Sequence, residues 1–374
     1  MRANDIPLAT ALMDGFALHT GLDSDAPSAR YLWTDAFAVC NFLGLAASNG
    51  SASRYDELAT RTVVKVHDTL AHFRCDDART GWLRGPHGIA DAAHPTRAGL
   101  RIGKPLPERA RDAPWDEALE WERDGQYFHY LTRWMHALDA MARARGDPCF
   151  NLWARELADT AHRAFTRATP QGPRMAWKMS TDLSRALVPS MGQHDPLDGL
   201  IGALALRDTA NDLGAAPGPD LAAAIGDYAA MLAGASLATD DPLGLGGLLM
   251  DAWRLARHLR RDPTLDPLLD RLFDSAVVGL RHYRAPGDAP ADARLAFREL
   301  GLAIGLGAVE RMAETCDDRA SAPPQALLAY APLREAIIEF WSTPANRQGR
   351  TWLAHRDIND VMLATSLAPE GWLA

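Results

Sequence analysis

Acidic residues and histidines cluster where several apolar helices are predicted to begin. One such helix opens with Trp33-Thr34-Asp35, and the next follows Asp124-Gly125-Gln126 and contains His129 near its start. A third opens with Gly192-Gln193-His194-Asp195-Pro196-Leu197-Asp198, and His355-Arg356-Asp357 precedes the last. Carboxyl groups and imidazoles hold and release protons in enzyme sites. The pattern therefore predicts an acid–base site whose catalytic candidates are Asp35, Asp124, His129, His194 and Asp198.

Helix capping is the alternative role for the acidic residues. Aspartate is a preferred N-cap, proline suits the first helical position, and acidic groups oppose the helix dipole. The tripeptide Asp-Pro-Leu begins at Asp195, Asp241 and Asp266, so we interpret Asp195 and Asp241 as caps. Asp198 differs because it lies one turn inside its helix, four residues after His194. At that spacing the two side chains can share a face.

His129 begins a polar stripe on an otherwise apolar helix. Arg133 and His136 follow it at helical spacing among tyrosine, phenylalanine, leucine, tryptophan and methionine. Buried ionisable groups cost free energy unless they are paired or face a wet cavity. A single histidine on such a helix is usually a satisfied core residue. A His–Arg–His stripe fits the wall of a pocket equally well.

Cationic residues collect in two long connections, residues 75–124 and 167–193. We expect ordered loops that lie over one mouth of the fold. Their cations are Arg97, Arg101, Lys104 and Arg109 in the first loop and Arg174, Lys178 and Arg185 in the second. The cluster predicts a bound carboxylate or phosphate. Ion pairs with Glu108, Asp112, Asp116 or Asp182 are an equally supported alternative.

Four tryptophans stand near the same residues. Trp33, Trp82, Trp121 and Trp177 are candidates for stacking platforms. Each by itself is more often a packing residue. The sequence leaves both interpretations open.

Two kinds of helix alternate along the chain and must position these residues. Amphipathic segments are predicted as outer helices: Pro7 to Thr20, Arg54 to Leu70, Phe150 to Phe165, Leu221 to Leu232, Leu268 to Tyr283 and Leu327 to Trp341. Segments that are apolar or small nearly all round are predicted as inner helices: Trp33 to Leu45, Gln126 to Met141, Pro196 to Leu206, Pro242 to Leu255, Leu295 to Met312 and Asp360 to Leu367. The alternation predicts an all-α (α/α)6 toroid, formed as a single domain over residues 1–374. An open helical solenoid is the alternative.

The charge, the hydropathy and the absence of certain motifs disfavour several classes of function. The 374 residues carry a formal net charge of −9 with both signs interspersed, which disfavours nucleic acid as a partner. We find no apolar run long enough to span a membrane and no secretion signal, and we expect a cytoplasmic protein. The four cysteines lack metal-ligand spacing, and phosphate-loop and dinucleotide motifs are missing, so no metal and no cofactor are predicted.

Six inner and six outer helices with acidic and aromatic residues at the inner helix starts resemble the six-hairpin glycosidase superfamily. Trp33-Thr34-Asp35 is similar to a substrate-binding segment of such enzymes, and Asp124-Gly125-Gln126 lies where a member could hold a catalytic acid. The resemblance implies a glycoside hydrolase with paired carboxyls, acting on a small saccharide, neutral or anionic. The implied substrate-binding residues are Trp33, Arg101, Lys104, Trp121, Gln126, Arg133, Trp177, Lys178, His355 and Arg356.

Other proteins with this kind of barrel supply the alternatives. The barrel is similar to that of the N-acylglucosamine and cellobiose 2-epimerases, which use paired histidines, and His129, His194 and His355 are candidates for that role. Class II terpene cyclases and lanthionine cyclases fit worse, because the Asp-rich motif of the first and the Cys-His pair of the second are missing. A non-catalytic scaffold that binds a ligand or a protein is the third alternative.

Overall fold

The chain is mostly helical. The computed structural model describes residues 5–24, 28–48, 52–214, 217–315 and 322–374, and it is 63% helix. Cys316 lies outside the described residues, while Cys40, Cys75 and Cys149 are thiols that form no disulfide. The longer described helices are α1 (Asp5–His19), α2 (Leu32–Ser48), α3 (Ala52–Leu70), α5 (Phe128–Arg145), α6 (Pro148–Phe165), α7 (Asp195–Leu213), α8 (Ala222–Leu232), α9 (Pro242–Leu259), α10 (Asp266–His282), α11 (Ala296–Thr315), α13 (Ala331–Ser342) and α15 (Arg356–Leu367).

Short elements fill the connections. The short helices are α4 (Glu117–Glu122), α12 (Gln325–Leu328), α14 (Arg350–Ala354) and α16 (Glu370–Leu373), with 3₁₀ turns at Pro263–Leu265, Ala291–Ala293 and Pro344–Gln348. The strands are β1 (Arg84–Gly85), β2 (Gly88–Ile89), β3 (Gln126–Tyr127), β4 (Thr166–Thr169), β5 (Gly172–Met175), β6 (Lys178–Met179) and β7 (Ala186–Val188). They pair antiparallel as β1–β2, β4–β5 and β3–β6–β7.

Every predicted helix is present among the described residues. The predicted Leu327 to Trp341 helix is interrupted, because Tyr330 is the N-cap of α13 and Pro332 lies in its first turn. A proline there begins a helix and cannot continue a preceding one. The short strands were not predicted, because two to four residues are too few to display a period.

Contacts within the chain group its residues into two units. The C-terminal unit comprises Met1–Leu18, Gly44–Ala52 and Ser236–Ala374, and the central unit comprises His19–Leu43 and Ser53–Ala235. Helices α9 and α11 pack together in the C-terminal unit, and α5 and α6 pack together in the central unit. One domain over residues 1–374 stays a prediction.

Glycines bring two helices of the C-terminal unit into backbone contact. A Cβ on Gly246 of α9 would lie 2.0 Å from the carbonyl oxygen of Gly301 in α11. A Cβ on Gly305 would lie 2.7 Å from the Cα of Gly246. Both distances are too short for a side chain, so the glycines allow α9 and α11 to pack closely.

The two long connections contact each other in the central unit. The guanidinium of Arg79 pairs with Glu108 at 3.0 Å and with Asp182 at 2.9 Å. The backbone N–H of Thr181 donates to a carboxylate oxygen of Glu108 at 2.5 Å. Residues 75–124 and 167–193 are therefore ordered against one another. Their position over one mouth stays a prediction.

No helix among the described residues has both the length and the apolar character that crossing a membrane requires.

Candidate acid–base site

His129, Asp195 and Asp198 come together at the beginnings of α5 and α7. One nitrogen or oxygen atom from each lies within 4.8 Å of those of the other two. Strand β3 ends at Tyr127, the N-cap of α5, so His129 falls in the first turn of that helix. Pro196 lies in the first turn of α7, where its fixed φ favours helix initiation. All three side chains therefore lie in the first turn of a helix.

Asp198 links the arginine and the histidine of the predicted stripe. The Nη2 of Arg133 donates to both carboxylate oxygens of Asp198, at 3.0 and 3.1 Å. The Nδ1 of His129 lies 3.7 Å from Asp198 Oδ2. The side chains of Asp198 and Arg133 are 3% and 7% exposed, whereas that of His129 is 29% exposed. His129 is therefore the most exposed member of this cluster, with the Arg133-paired carboxylate of Asp198 behind it.

The electrostatics keep His129 neutral near pH 7. Burial lowers the pKa of its imidazole below 6.5, and the charges of Arg133 and His194 lower it further, against the opposing effect of Asp198. A neutral imidazole beside an ionised carboxylate can accept a proton, and the carboxylate then stabilises the imidazolium. The arrangement can therefore perform general base and general acid chemistry.

Asp195 is not the plain cap that we predicted. His194 is the N-cap of α7, and the Asp195 carboxylate instead accepts the backbone N–H of Gly192 at 3.1 Å. Burial and the neighbouring charge of Asp198 raise the pKa of Asp195 to about 7. The other predicted cap, Asp241, is confirmed, since its carboxylate accepts the N–H of Gly244 at 2.8 Å.

The same three side chains have donor types that suit a divalent cation. One imidazole nitrogen and two carboxylates resemble the donor sets of zinc and manganese sites. Arg133 already contacts both oxygens of Asp198, so a cation would have to share that carboxylate with a guanidinium. The charge balance favours the arginine as the resident counter-ion.

A chain of aromatic rings leads away from His129. Its ring lies 5.5 Å from that of Tyr130, whose hydroxyl hydrogen-bonds the Tyr31 hydroxyl at 2.5 Å. The Tyr127 ring lies 5.1 Å from Tyr130 and stacks on Trp177 at 4.7 Å. Trp177 in turn contacts the exposed Trp121 edge to face at 4.9 Å. These rings are in continuous contact, and Tyr127 within the series is buried.

Two predicted catalytic carboxyls lie in other environments. Asp35 is buried, lies 3.5 Å from the Arg30 guanidinium and accepts the N–H of Tyr31. Asp124 is fully buried, pairs with Arg101 at 2.5 Å, and accepts the N–H groups of Gly103 and Gly125. Both carboxylates thus contact backbone N–H groups and arginine side chains, and a catalytic role for either stays a prediction.

Several predicted binding residues also hold the loops together. The Gln126 amide accepts from Leu100 N–H and donates to the Ala98 and Thr181 carbonyl oxygens. The Arg101 guanidinium donates to the carbonyls of Thr69 and His72 as well as to Asp124. Lys178 is fully buried and pairs with Glu120 at 2.9 Å. The polar groups of these three side chains thus bond to other parts of the protein.

The remaining predicted residues are spread over both units. In the central unit Trp33 is buried against Phe37, and the Lys104 ammonium lies 5.4 Å from the centre of the Tyr31 ring. His194 is half-buried at the start of α7. In the C-terminal unit His355 is exposed beside Phe297, and the exposed Arg356 lies 3.4 Å from Asp360.

Most of the loop cations form ion pairs within the central unit. Arg97 pairs with Glu156, Arg101 with Asp124, and Arg109 with Glu120. The Arg185 guanidinium donates to the carbonyl oxygen of Arg109. Arg97, Arg101 and Arg109 are therefore paired within the protein, which was one of the two alternatives. Their partners differ from the four predicted ones, Glu108, Asp112, Asp116 and Asp182.

Tyr31 and Tyr130 were missed by the sequence analysis. Tyr130 directly follows His129, and Tyr31 stands two residues before Trp33, so both lie beside residues that were singled out. Their 2.5 Å hydroxyl contact joins residues 99 positions apart. Tyrosines beside the acidic motifs were the available signal, but their pairing depends on the tertiary fold.

Asp195 gives a pH prediction. An aspartate whose pKa is raised in the folded protein holds a proton that the unfolded chain has lost, so its contribution to stability falls as pH rises from about 4 to about 7. Asp195→Asn removes that contribution. Urea unfolding at pH 5 and pH 8 should show the variant gaining roughly 2–3 kcal/mol relative to the wild type over that interval. If the free energies of unfolding of the two proteins changed equally with pH, the raised pKa of Asp195 would be contradicted.

Comparisons with known proteins identify the fold. No protein-family model and no curated protein sequence matches the chain. Among solved structures it is similar to a GH76 α-mannanase from Bacteroides thetaiotaomicron, at 8% identity and a TM-score of 0.56, over 97% of this chain and 96% of the other. It is also similar to a cellobiose 2-epimerase from Spirochaeta thermophila, at 12% identity and a TM-score of 0.52, over 98% of each chain. A third similar structure is a sugar epimerase from a ruminal bacterium. Its identity is 9% and its TM-score 0.54, over 96% of this chain and 98% of the other.

These likenesses extend over nearly the whole chain and confirm the predicted fold class. The chain has an all-α (α/α)6 fold, which it shares with these three structures. At such low identities the likeness concerns the fold, and function has to be argued from the site.

Proposed function

We propose that the protein is a carbohydrate-active enzyme, and specifically a sugar epimerase or isomerase in which His129 transfers the proton. The observation that carries the proposal is a partly exposed, neutral His129 backed by the buried Asp198–Arg133 pair. The three similar structures are a mannanase and two sugar epimerases, so the fold is compatible with sugar chemistry.

The proposed step begins at the carbon next to the carbonyl of an open-chain sugar. His129 removes the proton from that carbon, the C–H electrons form the carbon–carbon double bond, and the carbonyl oxygen takes the negative charge. Asp198 stabilises the imidazolium, while Arg133 keeps Asp198 ionised. The linked Tyr31 and Tyr130 hydroxyls are the candidate donors to the oxyanion. For epimerisation we assign to His194 the return of one proton to the same carbon from the opposite face. For isomerisation His129 returns its proton to the former carbonyl carbon.

The charge distribution favours a neutral sugar. A free cluster of loop cations would have favoured an anionic one, but Arg97, Arg101 and Arg109 are paired with carboxylates of the protein. Lys178 is likewise paired with Glu120. An added carboxylate or phosphate would compete with these internal partners and gain little.

A glycoside hydrolase is the second candidate. The observation in its favour is a pair of neighbouring carboxyls: Asp195, whose pKa is raised to about 7, and Asp198, which accepts from the Arg133 guanidinium. An acid and a base of that kind are what glycoside hydrolysis needs. Both carboxyls are only 4% exposed, however, so an incoming sugar meets His129 first.

Product analysis separates the two candidates. The purified protein is incubated with neutral monosaccharides and β-linked and α-linked disaccharides of glucose and mannose, and the products are separated by chromatography and weighed by mass spectrometry. We expect a product of the same mass as its substrate. A product in which the glycosidic bond is replaced by the elements of water would support the hydrolase and contradict the epimerase.

A further inference from the structure

The C-terminal unit contains a cavity of about 390 Å³ that is lined by none of the residues of the acid–base site. Its volume falls within the range of small-molecule binding sites. Helix α1 supplies one wall, and α14, α15 and the 3₁₀ turn at Pro344–Gln348 supply the rest. The lining combines apolar side chains with two guanidinium groups, and this combination indicates what the cavity can bind.

Helix α1 presents one face to the cavity. Leu8, Ala11, Leu12 and Gly15 line it, and their spacing of three and four residues places them on the same side of the helix. Among the described residues, no heavy atom outside the backbone of its own helix would come within 4 Å of a Cβ on Gly15. Glycine inside a helix is destabilising relative to alanine. The room that Gly15 leaves beside α1 is therefore a feature of the cavity and not a requirement of packing.

Helix α14 completes the apolar part of the lining with two neighbouring side chains. Trp352 is 3% exposed, whereas Leu353, the next residue, is 58% exposed. Transfer of apolar surface from water into an apolar environment is favourable, so a ligand that covers Leu353 gains free energy. With the leucines of α1, these residues form walls that suit a ligand with an aliphatic body.

The charged residues of the lining carry one positive charge in excess. They are Arg347, Arg356 and Asp360, and the Nε of Arg356 lies 3.4 Å from the Asp360 carboxylate. The Nη2 of Arg347 donates to the carbonyl oxygen of Ser342 at 3.4 Å, but its buried Nε has no hydrogen-bond partner among the described residues. Burial also lowers the pKa of Arg347, although the charge of Asp360 opposes this effect. An anion beside Arg347 would offset the cost of holding that charge.

We propose that this cavity binds an aliphatic monocarboxylate, with its carboxylate on Arg347 and Arg356 and its hydrocarbon between α1 and α14. A guanidinium matches a carboxylate in charge and in planar geometry. One positive charge in excess suits a single carboxylate better than a doubly charged phosphate. None of these residues takes part in the proposed sugar reaction, so the site and the reaction stand or fall independently.

Calorimetry with the full chain tests the site with four probes. Octanoate has both the charge and the aliphatic body, octanol lacks the charge, octylamine reverses it, and acetate lacks the body. We expect octanoate to bind about ten-fold more tightly than octanol, the effect of one hydrogen bond to a charged group. Octylamine and acetate should give no measurable heat of binding. Failure of octanoate to bind, or equal affinity for octanol or octylamine, would overturn the proposal.

Two substitutions test the two parts of the cavity. Gly15→Leu fills the apolar part, because a helical side chain covers the turn that precedes it, here Ala11 and Leu12. It should abolish the binding of both octanoate and octanol while α1 stays helical, since leucine is the better helix former. Arg347→Gln should lower the affinity for octanoate to that for octanol. Retention of wild-type octanoate affinity by either variant would contradict the site.

Gly226→Leu and Arg350→Gln are the matched controls. Gly226 lies in α8 of the central unit and, like Gly15, has no described heavy atom outside its own helix backbone within 4 Å of a built Cβ. Arg350 is an exposed arginine at the start of α14 that does not line the cavity. Both controls should bind octanoate like the wild type. Loss of binding in either one would show that the effect is not specific to the cavity.

Two further readouts separate the site from unfolding and from a dimer contact. The side chain of Arg356 is 52% exposed, so Arg356→Gln should weaken octanoate binding without lowering the thermal unfolding midpoint. This variant decides the question if Gly15→Leu or Arg347→Gln unfolds, and unchanged octanoate affinity in it would overturn the proposal. Sedimentation that shows Gly15→Leu converting a dimer to a monomer would assign the cavity to a second copy of the chain and would also overturn it.

Discussion

His129→Asn is expected to lower kcat by about 10²–10⁴ while the protein stays folded, because general acid–base catalysis contributes on that scale. Asparagine is smaller than histidine and retains hydrogen-bonding capacity towards Asp198, but it cannot accept a proton near pH 7. Since His129 is partly exposed, the substitution leaves no fully buried cavity. The measurement is steady-state turnover of the isomerised sugar, alongside the thermal unfolding midpoint.

His87→Asn is the control for this substitution. His87 lies in the first long connection, is half-buried, and belongs to the same unit. Its turnover should match that of the wild type. A His129→Asn protein that keeps a tenth or more of the wild-type kcat would show that the imidazole is not the proton carrier.

Asp124→Ala is expected to lower the free energy of unfolding by about 3–5 kcal/mol, because it leaves a buried guanidinium without its partner. Asp124 is fully buried and pairs with Arg101, itself 6% exposed. The same carboxylate accepts the backbone N–H groups of Gly103 and Gly125, so these also lose their acceptor. Urea unfolding monitored by tryptophan fluorescence measures the loss.

Asp76→Ala is the matched control. Asp76 pairs with Arg74 at 2.7 Å on the surface, and Arg74 also lies 3.7 Å from Asp124. Loss of the exposed pair should cost less than about 1 kcal/mol. A catalytic Asp124 would behave differently: Asp124→Asn would unfold like the wild type while kcat fell by a thousand-fold or more. That result would contradict the structural role.

The sequence predicted the fold well because the helices are long and uninterrupted. The apolar segments Pro242 to Leu255 and Leu295 to Met312, for example, are the helices α9 and α11. The break before Pro332 and the short strands of the long connections were missed. Such elements are stabilised by tertiary contacts and carry little periodicity of their own.

The candidate site was only partly predictable. The sequence could place His129 near Arg133 and His194 near Asp198, because residues one helical turn apart on one helix are close. That Asp198 of α7 meets Arg133 of α5 depends on how the two helices pack. The pairing of Asp35 with Arg30 and of Asp124 with Arg101 could not be predicted from helical spacing, because it depends on the tertiary structure. The sequence contains the charges, but the fold decides which of them are paired.

The measurement that tests the central claim most directly is the reaction in deuterated water, followed by NMR for the wild type and His129→Asn side by side. Proton transfer through His129 predicts that the isomerised sugar formed by the wild type carries deuterium at the carbon next to the carbonyl, and that the variant forms almost none. A wild-type reaction that leaves every carbon-bound hydrogen in place, or equal labelling by the variant, would contradict the account.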